Sequence, residues 1–177
     1  MPVTPQTGDN PFMPVKSILV AVDDSQQSEW ALQEAVTWAR QSGAKVHLLH
    51  VIDIAPVLTP EFAFDDSLRR PALIDAAKEL LVKLSQAVPA ELLGKKLLRD
   101  GSADREIVDV AQEQQVDLIV LGTHGRGLIG RFLLGSVAES VVRHAVCPVL
   151  TVSHPRQVAL KQEPKPVTST NKLAGQT

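Results

Sequence analysis

Apolar runs of strand length alternate along the chain with amphipathic stretches of helix length. Ser17–Val22 reads Ser-Ile-Leu-Val-Ala-Val, a strand of the kind buried on both faces. Asp23-Asp24-Ser25 follows as a capping cluster and predicts a helix from about Gln26 to Gln41. Ala31, Ala35, Trp38 and Ala39 lie near one stripe of that helix, and Ser42-Gly43 is its stop. Val46–Ile52 is the second predicted strand. Residues 53–67 hold two prolines and two Phe with no clear period, a loop long enough to cover or line something. Helical spacing returns over Pro71–Val88 through Leu73, Ala77, Leu80, Leu81, Leu84 and Val88. Lys95–Arg99 predicts a third strand, Ala103–Gln114 a third helix and Val116–Leu121 a fourth strand. Ser136–His144 predicts a fourth helix and Pro148–Val152 a fifth strand.

Such alternation implies right-handed crossovers and a parallel sheet covered on both faces. Composition changes little in that picture. The chain is 44% hydrophobic but only 3% aromatic, so Val, Leu, Ile and Ala must build the core. Its 177 residues suit one domain, expected over 15–154 between a flexible leader (1–14) and a disordered polar tail (155–177). The leader lacks the basic and apolar regions of a signal peptide, and no apolar run approaches the roughly 20 residues that span a bilayer. A lone Cys147 forms no internal disulfide and fits a reducing compartment, so the expected location is cytoplasmic, without a membrane partner. A net charge of −2 and sparse aromatics provide neither a basic face nor a stacking platform, so no nucleic-acid partner is expected.

In doubly wound sheets, ligands bind beyond the carboxyl ends of strands, where strand order reverses. Two strand ends here carry suitable chemistry. One is Val22-Asp23-Asp24-Ser25. The other is Gly122-Thr-His124-Gly125-Arg126, running on through Arg131 to Gly135-Ser136-Val137. Glycines after a strand let a ligand approach backbone N–H groups, and the helix opened by Gly135-Ser136 offers unpaired donors and partial positive charge to an anion. Arg126 and Arg131 could add charge-assisted contacts or simply be solvated. Ser136 with Glu139 is also an S-x-x-E capping box, and spacing alone serves that reading as well as a phosphate site. Gly125-Arg-Gly127-Leu-Ile-Gly130 matches G-x-G-x-x-G, but no acidic residue follows about twenty positions on, which excludes a dinucleotide fingerprint. No Gly-Lys-Ser/Thr occurs, so there is no Walker A loop.

Taken whole, Gly122, Gly125, Gly135 and Ser136 match G-x2-G-x9-G-[S/T], which resembles the nucleotide-binding signature of the universal stress protein family. Ile18–Ser25, Leu48–Val51, Gly135–His144 and Cys147–Val152 extend the resemblance, in the right order. It implies an α/β, Rossmann-like fold of the adenine nucleotide alpha hydrolase-like kind: a five-stranded parallel sheet in the order 3-2-1-4-5 with helices on both faces. It places the chain in the ATP-binding branch, with ATP (or ADP or AMP) as ligand and Mg²⁺ bridging phosphate oxygens. Carried over by position, Asp23 would contact the ribose or a metal-bound phosphate; direct metal ligation by the protein is not expected, with Asp23 the one candidate left open. Val51 would read the adenine edge through its backbone and Val22 would flank the base. Gly122, Gly125, Gly135, Ser136 and Val137 would hold the phosphates. Asp24 departs from the family pattern, adding negative charge that would weaken free nucleotide binding or raise Mg²⁺ dependence. His124, between two glycines, adds a titratable group of unassigned role.

Other candidates are set aside. His47 and His50 point to opposite faces of a strand and share no metal. His144 suits a helix C-terminus, and Cys147 reads as a small buried hydrophobe. The expectation is a regulatory ATP-binding protein of stress physiology without catalytic residues, acting with an unidentified regulatory partner. A slow ATPase using Asp23, Asp24 or His124, and an interaction module independent of nucleotide, are the alternatives. Pro148–Val152 would be an apolar edge strand, and with the resemblance it predicts a homodimer.

Overall fold

A computed structural model describes residues 15–53, 66–123 and 134–153, with backbone alone at 66–69. The expected leader and tail, most of the 53–67 loop, and His124, Gly125, Arg126 and Arg131 lie outside the described residues. In chain order the elements are β1 (Ser17–Ala21), α1 (Gln26–Ser42), β2 (Lys45–Ile52), α2 (Asp66–Ser85), β3 (Leu93–Asp100), α3 (Ala103–Glu113), β4 (Leu118–Gly122), α4 (Ser136–His144) and β5 (Val149–Val152). They form one five-stranded sheet in the order β3-β2-β1-β4-β5. Every pairing is parallel, as the alternating pattern and the family resemblance implied.

The strands alternate sides residue by residue, and each side has its own helices. Ile18, Val20, Val46, Leu48, Leu118 and Val120 pack with α1 and α2. Leu19, Leu49, Ile119 and Leu121 pack with α3 and α4. All but Leu118 and Leu121 of these are 0% exposed, and burying one such side chain contributes roughly 1.5–3 kcal/mol. A sheet apolar on both faces therefore gains stability only when both helical layers are in place. In α1, Ala31, Ala35 and Ala39 are fully buried, with Leu32 and Val36 beside them. Three alanines at this spacing let the helix axis lie close to the sheet.

Several expectations are corrected. Trp38 is not in the α1 stripe: it is 43% exposed, and its indole N–H donates to Glu34 Oε1 at 3.2 Å. At 100° per residue it lies about 20° outside the buried arc, and the large ring lies over the rim. Leu73 is 52% exposed, because α2 joins the core only from Ala77 onward. That helix begins at Asp66 and carries Pro71 inside it, so proline here does not mark the helix start. β3 is longer than Lys95–Arg99, reaching back to Leu93, since its first residues pair with Val46 before the register shifts.

Two side chains repair the backbone where sheet pairing fails. At the β3 irregularity, His47 Nδ1 accepts the Lys95 N–H at 3.0 Å. Gly94 makes room for the ring: a Cβ there would sit 2.8 Å from His47 Nδ1. At the start of β1, Asp117 Oδ2 accepts both the Lys16 and Ser17 N–H groups, at 2.8 and 2.9 Å. Burial, and then the Asp117 carboxylate, push the Cys147 thiol up, the reverse of what a nucleophilic cysteine needs.

Burial first, and then the Lys95 ammonium, hold His47 below its ordinary 6.5. The folded state favours the neutral ring, so the unfolded chain takes up this proton first as pH falls. The contribution is therefore fully present above about pH 6.5 and is lost as pH drops from there through the lowered folded value. Urea midpoints should fall below that pH in the native chain. His47→Asn, which retains an acceptor near Nδ1, should lose part of the drop; an identical pH profile would refute the assignment.

Candidate nucleotide-binding site

β1 and β4 lie side by side at the centre of the sheet, and their chains leave in opposite directions at the carboxyl end. After β1 the backbone folds into a knot of short polar side chains. Asp23 Oδ1 accepts the Ser25 N–H at 3.0 Å and the Ser25 hydroxyl. Ser25 is the N-cap of α1, with extended φ and ψ of −81° and 154°, and its Oγ accepts the Ser28 N–H at 3.2 Å. Ser28 Oγ reaches back to accept the Asp23 N–H at 2.9 Å. This is a reciprocal capping arrangement with one member displaced along the chain. It leaves Asp23 Oδ2 without a hydrogen bond among the described residues.

β4 ends at Gly122, and the glycine-rich segment that follows starts and finishes at one place. Thr123 donates to Val152 O at 3.0 Å, and the Gly135 N–H returns to Thr123 O at 2.7 Å. Gly135 is the N-cap of α4. The S-x-x-E reading of Ser136 as cap is therefore corrected: Ser136 is the first helical residue, and Glu139 N–H bonds Gly135 O at 2.8 Å. A glycine cap has no side chain with which to satisfy the first-turn N–H groups, which favours an external anion there.

Between the two strand ends lies a cavity of about 320 Å³, at the small end of the range for small-molecule sites. Val22, Leu49, Val51, Ile107, Leu121 and Ala103 supply apolar wall; Asp23, Ser25, Ser28 and Thr123 supply side-chain polar groups. Gly122 and Gly135–Ala138 supply backbone. Asp23 is the only ionisable group in the described lining. An apolar slot, a helix N-terminus and a carboxylate are the donor set a nucleotide needs for base, phosphate and ribose, so the residues present fit such a ligand. Among the described residues no three His, Cys, Asp or Glu side chains gather to hold a metal.

Of the predicted site residues, the structure brings Val22, Asp23, Ser25, Val51, Gly122, Gly135, Ser136 and Val137 to this cavity. Asp24 is exposed and does not line it. Sequence reasoning missed Ser28, 3% exposed, although Ser25-x-x-Ser28 carried the spacing of a capping pair. It also missed Asp104, which accepts hydroxyl protons from Ser102 at 2.5 Å and Ser140 at 2.7 Å and so joins the start of α3 to α4. Those hydrogen bonds, Ser102 first, lower its pKa. His144 has Nδ1 2.8 Å from Ser140 O in the last turn of α4, as a C-terminal histidine should.

A parallel sheet wound with helices on both faces, with a cavity at the reversal of strand order, defines the doubly wound, Rossmann-like class of α/β proteins. Within that class the chain belongs to the universal stress protein family, whose family model matches residues 14–153. A universal stress protein of Methanocaldococcus jannaschii is 34% identical over 86% of this chain and 88% of its own length. Among solved structures, UspA of Lactobacillus plantarum has a TM-score of 0.69 and 31% identity, over 80% of this chain and 99% of that one. A universal stress protein of Archaeoglobus fulgidus in complex with dAMP has a TM-score of 0.58 and 28% identity, over 80% and 100%. Another family member, in complex with cAMP, has a TM-score of 0.55 and 25% identity, over 80% and 98%.

Gly122 has a packing role beside its place in the cavity wall. A Cβ there would lie 2.8 Å from Gln27 Cβ and 3.1 Å from its carbonyl carbon, and helix backbone cannot swing aside as a side chain can. Gly122→Ala should therefore cost about 1–3 kcal/mol by overpacking. Urea denaturation measures it, and an unshifted midpoint would show that α1 yields freely.

Proposed function

We propose that this protein binds an adenine nucleotide in the switch-point cavity and acts as a regulator in stress physiology, its shape or partner choice following nucleotide occupancy. The observation that carries the reading is the glycine-capped N-terminus of α4 facing an apolar wall and Asp23 across one cavity. Relatives solved with dAMP and cAMP support an adenine ligand. ATP is the proposed nucleotide, with ADP or AMP as alternatives.

In this arrangement the first-turn N–H groups of α4, with Gly122, Gly125 and Arg126, hold phosphate. Val22 and Val51 take the base. Asp23 Oδ2 accepts a ribose hydroxyl or a water on phosphate-bound Mg²⁺, a cation that keeps most of its waters. Asp24, just outside, adds negative charge that makes binding depend more on Mg²⁺. Holding is the proposed role: among the described lining residues Asp23 is the sole ionisable group, and its Oδ1 is committed to the α1 turn. An unidentified regulatory protein would read the bound state in the cytoplasm, without nucleic acid or membrane partners. No helix among the described residues is long and apolar enough to cross a membrane.

Titration calorimetry on nucleotide-stripped protein with ATP and Mg²⁺ should show binding, weakened at least about tenfold by Asp23→Ala, the loss expected for a charged hydrogen bond. No heat and no thermal shift at millimolar ATP would overturn the proposal.

The two sheet edges differ. β3 shows exposed Lys95 and Lys96, which discourage pairing, whereas β5 is an uncharged Val-Leu-Thr-Val strand. Val142 and Val146, near it, are 49% and 66% exposed. The proposed assembly is a homodimer through Pro148–Val152. Sedimentation should give a dimer at micromolar concentration and a monomer for Val146→Asp; a monomeric native chain would refute it.

A further inference from the structure

Hydrogen bonding in a parallel sheet alternates along each strand between one neighbour and the other. In β2, Lys45 donates to Lys16 O and Leu49 O accepts from Val22, both at 2.8 Å, so odd-numbered residues serve β1. Val46 donates to Leu92 O and Ile52 O accepts from Gly101, so even-numbered residues serve the β3 side. Val51 is odd, and its N–H and C=O face the β1 side just where β1 has ended at Ala21. With Ala21 opposite Leu49, a continuing ladder would bring the Val51 N–H onto Val22 O. That bond is absent among the described residues. Val22 O instead lies 2.7 Å from His50 Nδ1. A carbonyl only accepts, so Nδ1 carries the proton.

We infer that His50 is a positioning residue for base recognition. It draws off the Val22 carbonyl, ends the β1–β2 ladder one step early, and keeps the Val51 N–H and C=O available at the cavity wall. His50 does not itself line the cavity, whereas Val22 and Val51 do, so it acts through them. One N–H beside one C=O matches a base edge with a ring-nitrogen acceptor beside an amino donor. Adenine has that edge; in the same pose guanine reverses it, setting its ring N–H against the Val51 N–H and its carbonyl against the Val51 C=O, so both contacts are mismatched. Without the imidazole, Val22 O is free to recapture the Val51 N–H, and the donor is lost to the base. The inference rests on the nucleotide reading above and adds the origin of its base preference.

The test measures dAMP and dGMP binding by calorimetry to the full chain, to His50→Leu and to His50→Asn, whose amide N–H₂ falls near the Nδ1 position. His50→Leu should weaken dAMP about tenfold, as for one lost hydrogen bond, and leave dGMP unchanged, narrowing the preference. His50→Asn should stay within about threefold of the native affinity. A native chain that binds neither nucleotide sinks the nucleotide reading and this inference together. A native chain that binds dAMP, with His50→Leu keeping both affinity and preference, overturns the His50 role alone. If His50→Leu does not fold, nitrogen NMR of the native chain decides through the tautomer. Nδ1–H supports the assignment, and a neutral ring protonated at Nε2 overturns it.

Discussion

β1 is the central strand, flanked on both sides by parallel partners, and everything at the carboxyl end of the sheet depends on how its chain stops. A central strand cannot simply run on, because each further residue would demand hydrogen bonds from β2 and β4 and fill the space a ligand would use. The knot of Asp23, Ser25 and Ser28 ends it by offering the backbone substitute partners within six residues. The Asp23 amide is satisfied by a hydroxyl, the Ser28 amide by another, and the chain is already turned into α1. Short polar side chains compete well with strand pairing for local backbone groups, which is why this composition occurs where a strand must end abruptly.

The other wall follows from the same need for close approach. Gly122 lets the end of β4 touch the first turn of α1 at Gln27, so the β1 and β4 exits stay close while their helices go to opposite faces. The Gly135 amide then returns to Thr123, which places the start of α4 at the mouth of the gap. The cavity is thus what remains when two adjacent strands hand their chains to opposite faces. Among the described residues its polarity comes from backbone and hydroxyl groups more than from charge. Such a site suits a ligand with a flat apolar part and an anionic end.

At the opposite end of the sheet the same logic closes gaps. Asp117 takes two amides at the β1 start, and His47 takes one at the β3 irregularity. Each replaces a missing backbone partner by a side chain on a neighbouring element. In a sheet buried on both faces an unmatched N–H is expensive, so these few polar residues complete a core otherwise built from Val, Leu, Ile and Ala.

Much of this was written locally and could be read locally. The Ile18–Val22 and Leu118–Leu121 runs, the Asp23–Ser25 cap, the stop at Gly43 and the glycines after β4 depend on short-range sterics and periodicity, and all five strands and four helices were visible from them. The strand order came from family resemblance, since nothing in periodicity says which strand neighbours which. Trp38 and Leu73 were misjudged because angular position on a helix does not say where the neighbouring layer ends. The helix start at Ser136 was legible, but spacing left open whether Ser136 or Gly135 was the cap, and only the path of the returning chain chose between them. The roles of Asp117, Asp104 and His50 were hidden for a deeper reason. Each meets a partner 28 to 101 residues away, and a hydrogen bond of that separation has no local signature. The sequence by itself determined the layers and the chemistry at two strand ends; tertiary structure decided which backbone groups those ends leave open, because parity and register exist only once strands are paired.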